Sequence, residues 1–424
     1  MSLNLRNLSF AVAVTCVAAT APAATRITYE INGAARAVAW TPTAFPMTVT
    51  VDRRLLDKFP DARAAISNGM AAWSLPGTSI EFAALATGDV TAGNDGRNVV
   101  TLTDDLFRNQ GALALTTYTF DESGRFLDAD IQLDAVLLNG GYNVSQTVQH
   151  EFGHLLGFDH SAVISSVMYP YVGRGSAPAF LDLDDSIFAT AAYATKDPST
   201  LGAILQGRLV GDTGGVFAAQ VVAVNAQGQP VASALTNAEG EFRLLGIPAG
   251  RYRIYAEPLD GPVGFRDLNG VWRAAKGAPF PTQFMPGEVL EVDGAKLYGN
   301  LILQTAGPAQ LNPRWIGAMA AGSDNVSLSS TPVTVRAGQP VTIAVGGDGF
   351  TSGMTEFDVL NPAFQRVSDY RWSGNYVSAS YLVKGEAQPG SAVILVRSGN
   401  AQATLTGGLK IVSGDASDRR RAIR

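Results

Sequence analysis

All three histidines of the chain lie in one short segment, His150 to His160, which reads HEFGHLLGFDH. On a helix, His150 and His154 are four residues apart and project from the same face, so both imidazoles can reach one metal ion. Gly157 can adopt a positive φ and end the helix, which lets the chain return and bring His160 to the same ion. Three protein ligands with a fourth position left open is the arrangement of a catalytic zinc site, whereas structural zinc sites are closed by four.

Glu151 follows the first histidine and can reach the open side of the ion without being a ligand. A carboxylate in that place is suited to act as the general base for a water that attacks a carbonyl group. The alternative is that these are ordinary surface or core histidines. The combined spacing of the histidines, Glu151 and Gly157 is too specific for that alternative to be favoured.

Hydrophobic periodicity predicts the elements that must position this segment. The predicted helices are Asp61–Trp73, Ser145–Leu156 and Asp184–Tyr193, with Asp182 or Asp184 as the N-cap of the last, and the predicted strands are Ile27–Ile31 and Met47–Val51. Helices mixed with strands predict an α+β domain in this part of the chain.

The remainder of the chain alternates apolar and polar residues between turn clusters rich in Gly, Asn and Pro. The predicted strands are Gln220–Asn225, Glu241–Leu245, Arg251–Glu257, Val333–Val335, Val341–Val345 and Ala392–Val396. Short strands at this spacing are typical of β-sandwiches. The sequence therefore predicts a multidomain chain in which an α+β domain is followed by two all-β sandwich domains.

The first 23 residues are typical of an export signal. Arg6 supplies the positive charge, Leu8–Ala19 is an apolar run, and Ala21–Ala23 resembles a cleavage site. The run is too short to cross a bilayer, and no later stretch qualifies, so no transmembrane segment is expected. We predict a secreted or periplasmic product. Cys16, the single cysteine, lies in the signal and would leave with it, which excludes an intramolecular disulfide framework.

The charge balance limits the classes of partner. Lys and Arg number 31 against 37 Asp and Glu, a net charge of −6 over 424 residues. This balance argues against nucleic acid as a partner. The last residues, 415–424, are rich in arginine without an apolar pattern, and we predict that they form a disordered tail.

The extended motif resembles that of the metzincin zinc peptidases, and its details resemble the matrixin branch, the matrix metalloproteinases and their bacterial relatives. Met168, followed by Tyr169 and Pro170, is similar to the family's Met-turn. The resemblance implies that Met168 lies beneath the zinc ligands and that Tyr169 and Pro170 help to wall the specificity pocket. The astacin and serralysin branches have a tyrosine at the position of Pro170, so the matrixin branch is favoured. The similarity extends over roughly Thr25–Thr195.

The resemblance implies a secreted zinc endopeptidase that acts on protein or peptide substrates. His150, His154 and His160 would hold one catalytic Zn²⁺, and Glu151 would be the base. The family's plan also implies that the substrate lies extended along an exposed strand near Ala112–Thr117, by strand addition.

One departure from vertebrate matrixins concerns additional metals. Gln132 stands where those proteins have a histidine ligand of a second, structural zinc, and no histidine is left over in this chain. A second zinc with imidazole ligands is therefore excluded. A group of aspartates offers the oxygen ligands that Ca²⁺ prefers, and a solvated acidic loop is the equal alternative. These aspartates are Asp121, Asp128, Asp130 and Asp134.

Two weaker resemblances concern the β-rich part. Residues 201–303 resemble a carboxypeptidase regulatory-like sandwich, and residues 312–412 an immunoglobulin-like module of the IPT/TIG type. Such modules serve as spacers or bind carbohydrate or surface proteins, and we favour spacers that fold independently of the peptidase. The predicted domains are 1–23 (signal peptide), 24–198 (peptidase), 199–306 and 307–414 (sandwiches), and 415–424 (tail).

The competing hypothesis for the whole chain is a surface or extracellular-matrix binding protein that acts through its sandwiches and carries a vestigial zinc site. Glu151 discriminates between the two hypotheses. A decayed site would tolerate loss of the base or of a ligand, and every expected group is present.

Overall fold

The structure, a computed structural model, describes residues 25–414 except 175–179, 198–199, 278, 288, 306, 309–310, 322 and 324. The predicted signal peptide with Cys16, and the predicted tail 415–424, lie outside the described residues. Within the described part of the chain, no helix combines the length and the apolar character needed to cross a membrane.

The first region is built on a mixed sheet. Its strands are β1 Thr28–Ile31, β2 Ala34–Ala37, β3 Val49–Asp52, β4 Ala86–Gly88, β5 Asn98–Thr103, β6 Ala114–Phe120 and β7 Phe126–Asp134. β1 and β2 form a separate antiparallel pair, and the other five form one sheet in the order β4-β3-β5-β7-β6. Neighbours in this sheet are parallel except β6, which runs antiparallel to β7. β6 is therefore an edge strand.

Helices accompany this sheet. They are α1 Arg53–Lys58, α2 Ala62–Trp73, α3 Leu106–Gln110, α4 Ala135–Asn139, α5 Val144–Leu155 and α6 Leu183–Ala192. α2 and α5 pack closely because Gly69 has no side chain: a Cβ there would lie 2.9 Å from the side chain of Val148. The buried Trp73 ties the two helices together, since its indole N–H donates to the carbonyl of Gln149 at 2.8 Å. This packing fixes α5 above the sheet.

The second and third regions consist almost wholly of strands. The second region comprises β8 Ala203–Gly211, β9 Gly214–Gly215, β10 Gln220–Asn225, β11 Pro230–Leu235, β12 Glu241–Ile247, β13 Gly250–Glu257, α7 Gly270–Arg273, β14 Gln283–Phe284, β15 Leu290–Val292 and β16 Leu297–Gln304. The third region comprises β17 Asn312–Ala320, β18 Val333–Arg336, β19 Pro340–Asp348, β20 Thr355–Val359, β21 Phe364–Arg366, β22 Arg371–Ser373, β23 Tyr376–Val383, β24 Gly390–Ser398 and β25 Ala401–Val412.

Each of these two regions contains two sheets. In the second region their orders are β11-β10-β13-β14 and β12-β8-β16, with β15 and β9 attached. In the third region they are β17-β19-β23-β21, with β22 attached, and β18-β25-β24-β20. Each region buries its own apolar cluster. The predicted fold class, an α+β domain followed by two all-β sandwiches, is confirmed, while the domain boundaries themselves stay predictions.

The regions pack tightly against one another. The side chains of Ile164 and Tyr169, from the first region, belong to the apolar core of the third. The N–H of Ile164 donates to the carbonyl of Thr406 at 2.8 Å, and Glu257 of the second region accepts hydrogen bonds from Thr404 and Thr406. The sandwiches are therefore packed against the first region and against each other. Their role as spacers and their independent folding stay predictions.

Candidate metal centre

The three histidines converge at the end of α5. Asn143 is the N-cap of the helix, since its side chain accepts from the N–H of Gln146 at 3.1 Å. His150 and His154 lie on one face, with ring centroids 4.6 Å apart. Gly157 then reverses the chain at φ +88, where a Cβ would lie 2.6 Å from the carbonyl oxygen of Val38. The reversal brings His160 to the same place.

The nitrogen atoms of the triad have the spacing of a zinc site. One ring nitrogen from each histidine lies within 4.8 Å of the others, and the Nε2 atoms of His154 and His160 are 3.2 Å apart. Tetrahedral zinc with Zn–N bonds of about 2.0–2.1 Å places its nitrogen ligands about 3.3 Å apart. The three imidazoles therefore fit one Zn²⁺ bound through Nε2.

The other nitrogen of each ring is held by a backbone carbonyl. Nδ1 of the first histidine donates to Val167 at 2.8 Å and that of the second to Phe158 at 2.8 Å. Nδ1 of the third donates to the carbonyl of Asp267, in the second region. A proton on Nδ1 leaves the Nε2 lone pair free for a metal, so the three carbonyls select the ligating tautomer.

Burial keeps the first two histidines uncharged. It lowers the pKa of His150 to about 3, with a further contribution from the nearby imidazole of His160. It also lowers the pKa of His154 well below the ordinary value. Neutral imidazole is the form that binds a metal.

Glu151 lies beside the triad and is 5% exposed. Its Oε2 accepts a hydrogen bond of 2.6 Å from the hydroxyl of Thr116 on β6. Burial raises the pKa of Glu151 to about 7, and the hydrogen bond from Thr116 opposes this shift. Sequence reasoning did not identify Thr116 as a site residue; its only indication was its place in the strand predicted to bind substrate.

The turn that contains Met168 supports the triad from below. Asp185 of α6 accepts from the hydroxyl of Ser166 at 2.5 Å and from the N–H of Val167 at 2.8 Å. The carbonyl of Val167 in turn holds His150. Asp185 thus orients a candidate ligand through the turn. The sequence indicated Asp185 only as a residue of the predicted helix Asp184–Tyr193.

Met168 itself packs against α5 at Gly153. A Cβ at Gly153 would lie 2.2 Å from Sδ of Met168 and 3.0 Å from the ring of Trp73. The absence of a side chain at Gly153 therefore lets the turn approach the helix directly beneath the histidines.

We expect Gly153→Ala to destabilise the fold by about 1–3 kcal/mol, because the added methyl group must displace Met168, and this cost exceeds the helix propensity gained. Thermal unfolding of the metal-free protein measures the effect. Ser145→Ala, at an exposed position of the same helix, is the control and should shift the midpoint little. A Gly153→Ala variant as stable as this control would contradict the packing described above.

A cleft of about 670 Å³ opens over the histidines. β6, α5 and the segment 167–172 line it, together with Asn269 of the second region. Tyr169 and Pro170 lie in its wall, and their role in a specificity pocket stays a prediction. The ring of Tyr169 is buried, and its hydroxyl donates to the carbonyl of Ser330 in the third region. The wall of the cleft is therefore anchored outside the first region.

The four aspartates proposed for calcium are not gathered into one group. Backbone N–H groups of residues 93–99 donate to Asp128 and Asp130. Asp134 caps α4, and Asp121 is engaged by a local turn and an ion pair. Among the described residues, the histidine triad is the one group of three or more His, Cys, Asp or Glu side chains whose ligand atoms are close enough to hold a metal. The calcium site gains no support from this arrangement.

Comparison with known proteins agrees with this geometry. Residues 68–194 match the family model of the matrixins. A metalloendoproteinase of Arabidopsis thaliana, 4-MMP, is 31% identical over 101 residues, which is 22% of this chain and 30% of that protein. A hatching enzyme of Paracentrotus lividus is 45% identical over 60 residues, 14% of this chain and 10% of that protein. The chain thus matches less than a third of the length of either relative.

Among solved structures, the Bacillus anthracis TIE protein aligns with 50% of this chain and 34% of its own, at 8% identity. Its TM-score of 0.19 is too low to support an argument about fold or function.

Proposed function

We propose, from the premise that residues 68–194 form a matrixin domain, that the chain is a secreted zinc-dependent endopeptidase that hydrolyses peptide bonds in extracellular proteins. One observation carries the proposal. The three Nε2 atoms converge, with the spacing of zinc ligands, beside a buried carboxylate in the floor of an open cleft.

Zinc held by His150, His154 and His160 would supply Lewis-acid chemistry, acidifying a water and polarising the substrate carbonyl. The residues of the chain would carry out the proton transfers. Glu151, oriented by the hydroxyl of Thr116, would take the proton from the attacking water and return it to the leaving amine. Its raised pKa suits both steps, because a group that titrates near neutral pH can accept a proton and release it again.

β6 provides the means to bind an extended peptide. It is the edge strand of its sheet, and residues 111–118 line the cleft. A substrate chain could pair with this edge as an additional strand, which places a peptide bond next to the triad without requiring a particular side chain. This mode of binding supports an enzyme that cuts within proteins.

The test is metal-dependent proteolysis by the full chain. We expect one zinc per chain by elemental analysis and cleavage of an unfolded protein such as casein. Chelation should abolish cleavage, and added Zn²⁺ should restore it. His154→Ala is the control and should neither retain zinc nor cleave.

Two results would contradict the proposal. Cleavage that persists in the zinc-free chain would exclude the mechanism. A chain that is loaded with zinc and does not cleave would favour the alternative, a surface or matrix binding protein that acts through its sandwiches.

A further inference from the structure

A loop of the second region reaches the metal centre. It consists of residues 258–275, the first part of the connection between β13 and β14, and is called here the 258–275 loop. The backbone carbonyl of Asp267 accepts the Nδ1 proton of His160. The first two histidines donate instead to carbonyls of their own region. The third candidate ligand is thus oriented by a different part of the chain.

The same loop forms hydrogen bonds with Asp159, the residue that precedes His160. Oδ1 of Asp159 accepts from the side-chain amide of Asn269 at 2.8 Å, and Oδ2 accepts from the backbone N–H of Asn269 at 2.9 Å. Asp159 also accepts from the N–H of His160 at 2.8 Å and is 1% exposed. Asn269 therefore holds, through Asp159, the segment of backbone that presents the third histidine.

The loop is firmly anchored on both sides. Leu268 and Trp272 are buried in an apolar cluster with residues of the second region. The indole of Trp272 donates to the carbonyl of Arg26 at 3.2 Å. Gly270, at φ +56, passes so close to β1 that a Cβ would lie 1.8 Å from the carbonyl oxygen of Thr28. The position of the carbonyl of Asp267 is thus set by packing.

We infer that the 258–275 loop is a positioning element of the metal centre, so that the zinc affinity of the matrixin domain depends on the first sandwich, the second region of the chain. The inference rests on the proposed function. Groups that hydrogen-bond to the second nitrogen of a ligating histidine fix its tautomer and orientation, and their loss typically costs about 10–100-fold in metal affinity. Here that group and its support come from the sandwich.

The loop also continues the cleft beyond the first region. Asn269 lines the cleft, and the hydroxyl of Tyr171, which also lines the cleft, donates to the carboxylate of Asp267 at 3.1 Å. The first sandwich is consequently part of the site.

Zinc affinity of the full chain tests the inference, measured by competition with a chromophoric chelator. Asn269→Ala removes the side-chain hydrogen bond to Asp159, and Gly270→Ala pushes the loop away from β1. Each is expected to weaken zinc binding by about 10–100-fold. The matched control is Gly294→Ala, a second left-handed glycine (φ +69) of the same region, which has no atom within 4 Å of an added Cβ. It carries a similar backbone cost and should leave the affinity unchanged.

The absorption spectrum of the cobalt-substituted protein gives a second readout, which reports ligand geometry and which a loss of stability alone would not alter. We expect the d–d bands of Asn269→Ala to differ from those of the wild type and of Gly294→Ala. If Gly270→Ala does not fold, Asn269→Ala decides alone.

Wild-type zinc affinity and cobalt spectrum in a folded Asn269→Ala variant would overturn the inference while leaving the proposed function intact. A wild-type chain that takes up no zinc would overturn both.

Discussion

Replacing Glu151 with alanine is expected to lower kcat/KM for a protein substrate by about 10²–10⁴-fold, while the variant keeps one zinc per chain. The Glu151 carboxylate lies close to the triad, but it is not one of the groups that could bind the metal ion. Its loss therefore removes the proton acceptor and leaves the metal ligands in place. Elemental analysis and cleavage assays on the same sample measure both properties.

Two variants separate the role of Glu151 from its surroundings. Glu151→Gln keeps the size and the hydrogen bond with Thr116 but cannot accept a proton, so it should be as inactive as the alanine variant. Thr116→Val removes the hydrogen bond from the Thr116 hydroxyl to the Glu151 carboxylate and should lower activity less, because the base itself remains. A zinc-replete Glu151→Ala protein that cleaves at the wild-type rate would refute the mechanism.

The ligand triad could be predicted from sequence because the information is local. The spacing of His150 and His154 needs only a helix, and Gly157 needs only a positive φ, to bring His160 back within a few residues. Thr116 and Asp267 could not be predicted in the same way. They lie 35 and 107 residues from the partners they bond, and Asp267 acts through its backbone carbonyl, which no residue type reveals.

The same distinction between local and long-range information applies to the fold. Strands such as Glu241–Leu245 can be predicted because a strand that buries one face alternates in its own sequence, and this strand buries Phe242 and Leu244 but not Arg243 between them. The contacts between regions have no comparable pattern in the sequence. Ile164 is one apolar residue in a loop, and the sequence does not say that the third region covers it. Ser233 donates a hydrogen bond to Asp184, but both are polar residue types that could equally face solvent, so the sequence does not indicate this contact.

The adjacent aspartates of α6 are expected to respond in opposite ways to substitution. Both are 3% exposed. Asp185 accepts three hydrogen bonds, from Ser166, Val167 and the N–H of Asp182. Asp184 accepts from Ser233 at 3.0 Å and from Ser161 at 3.4 Å, both through Oδ2, while its Oδ1 has no hydrogen-bond partner among the described residues. The Asp185 carboxylate organises the turn that contains Met168, whereas the Asp184 carboxylate is a buried charge with few hydrogen bonds to compensate it.

Asp185→Ala should destabilise the fold by about 3–5 kcal/mol, because it leaves three buried donors without an acceptor. It should also weaken zinc binding by about tenfold, since the turn it releases holds His150 through Val167. Denaturant unfolding of the metal-free protein and chelator competition measure the two effects.

Asp184→Asn should instead stabilise the fold at alkaline pH, by about 1–3 kcal/mol at pH 8. Burial, and then the carboxylate of Asp185 and that of Asp182, raise the pKa of Asp184 to about 7 in the folded chain, and Ser233 opposes the shift by donating a hydrogen bond. Because the folded pKa lies above the unfolded one, the wild type loses this part of its stability as the pH rises from about 4 through 7. Asparagine does not ionise, so the variant should lack that loss. Unfolding free energies at pH 5 and pH 8 decide the matter, and an equal pH dependence in the two proteins would show that Asp184 is not the buried, poorly compensated charge described here.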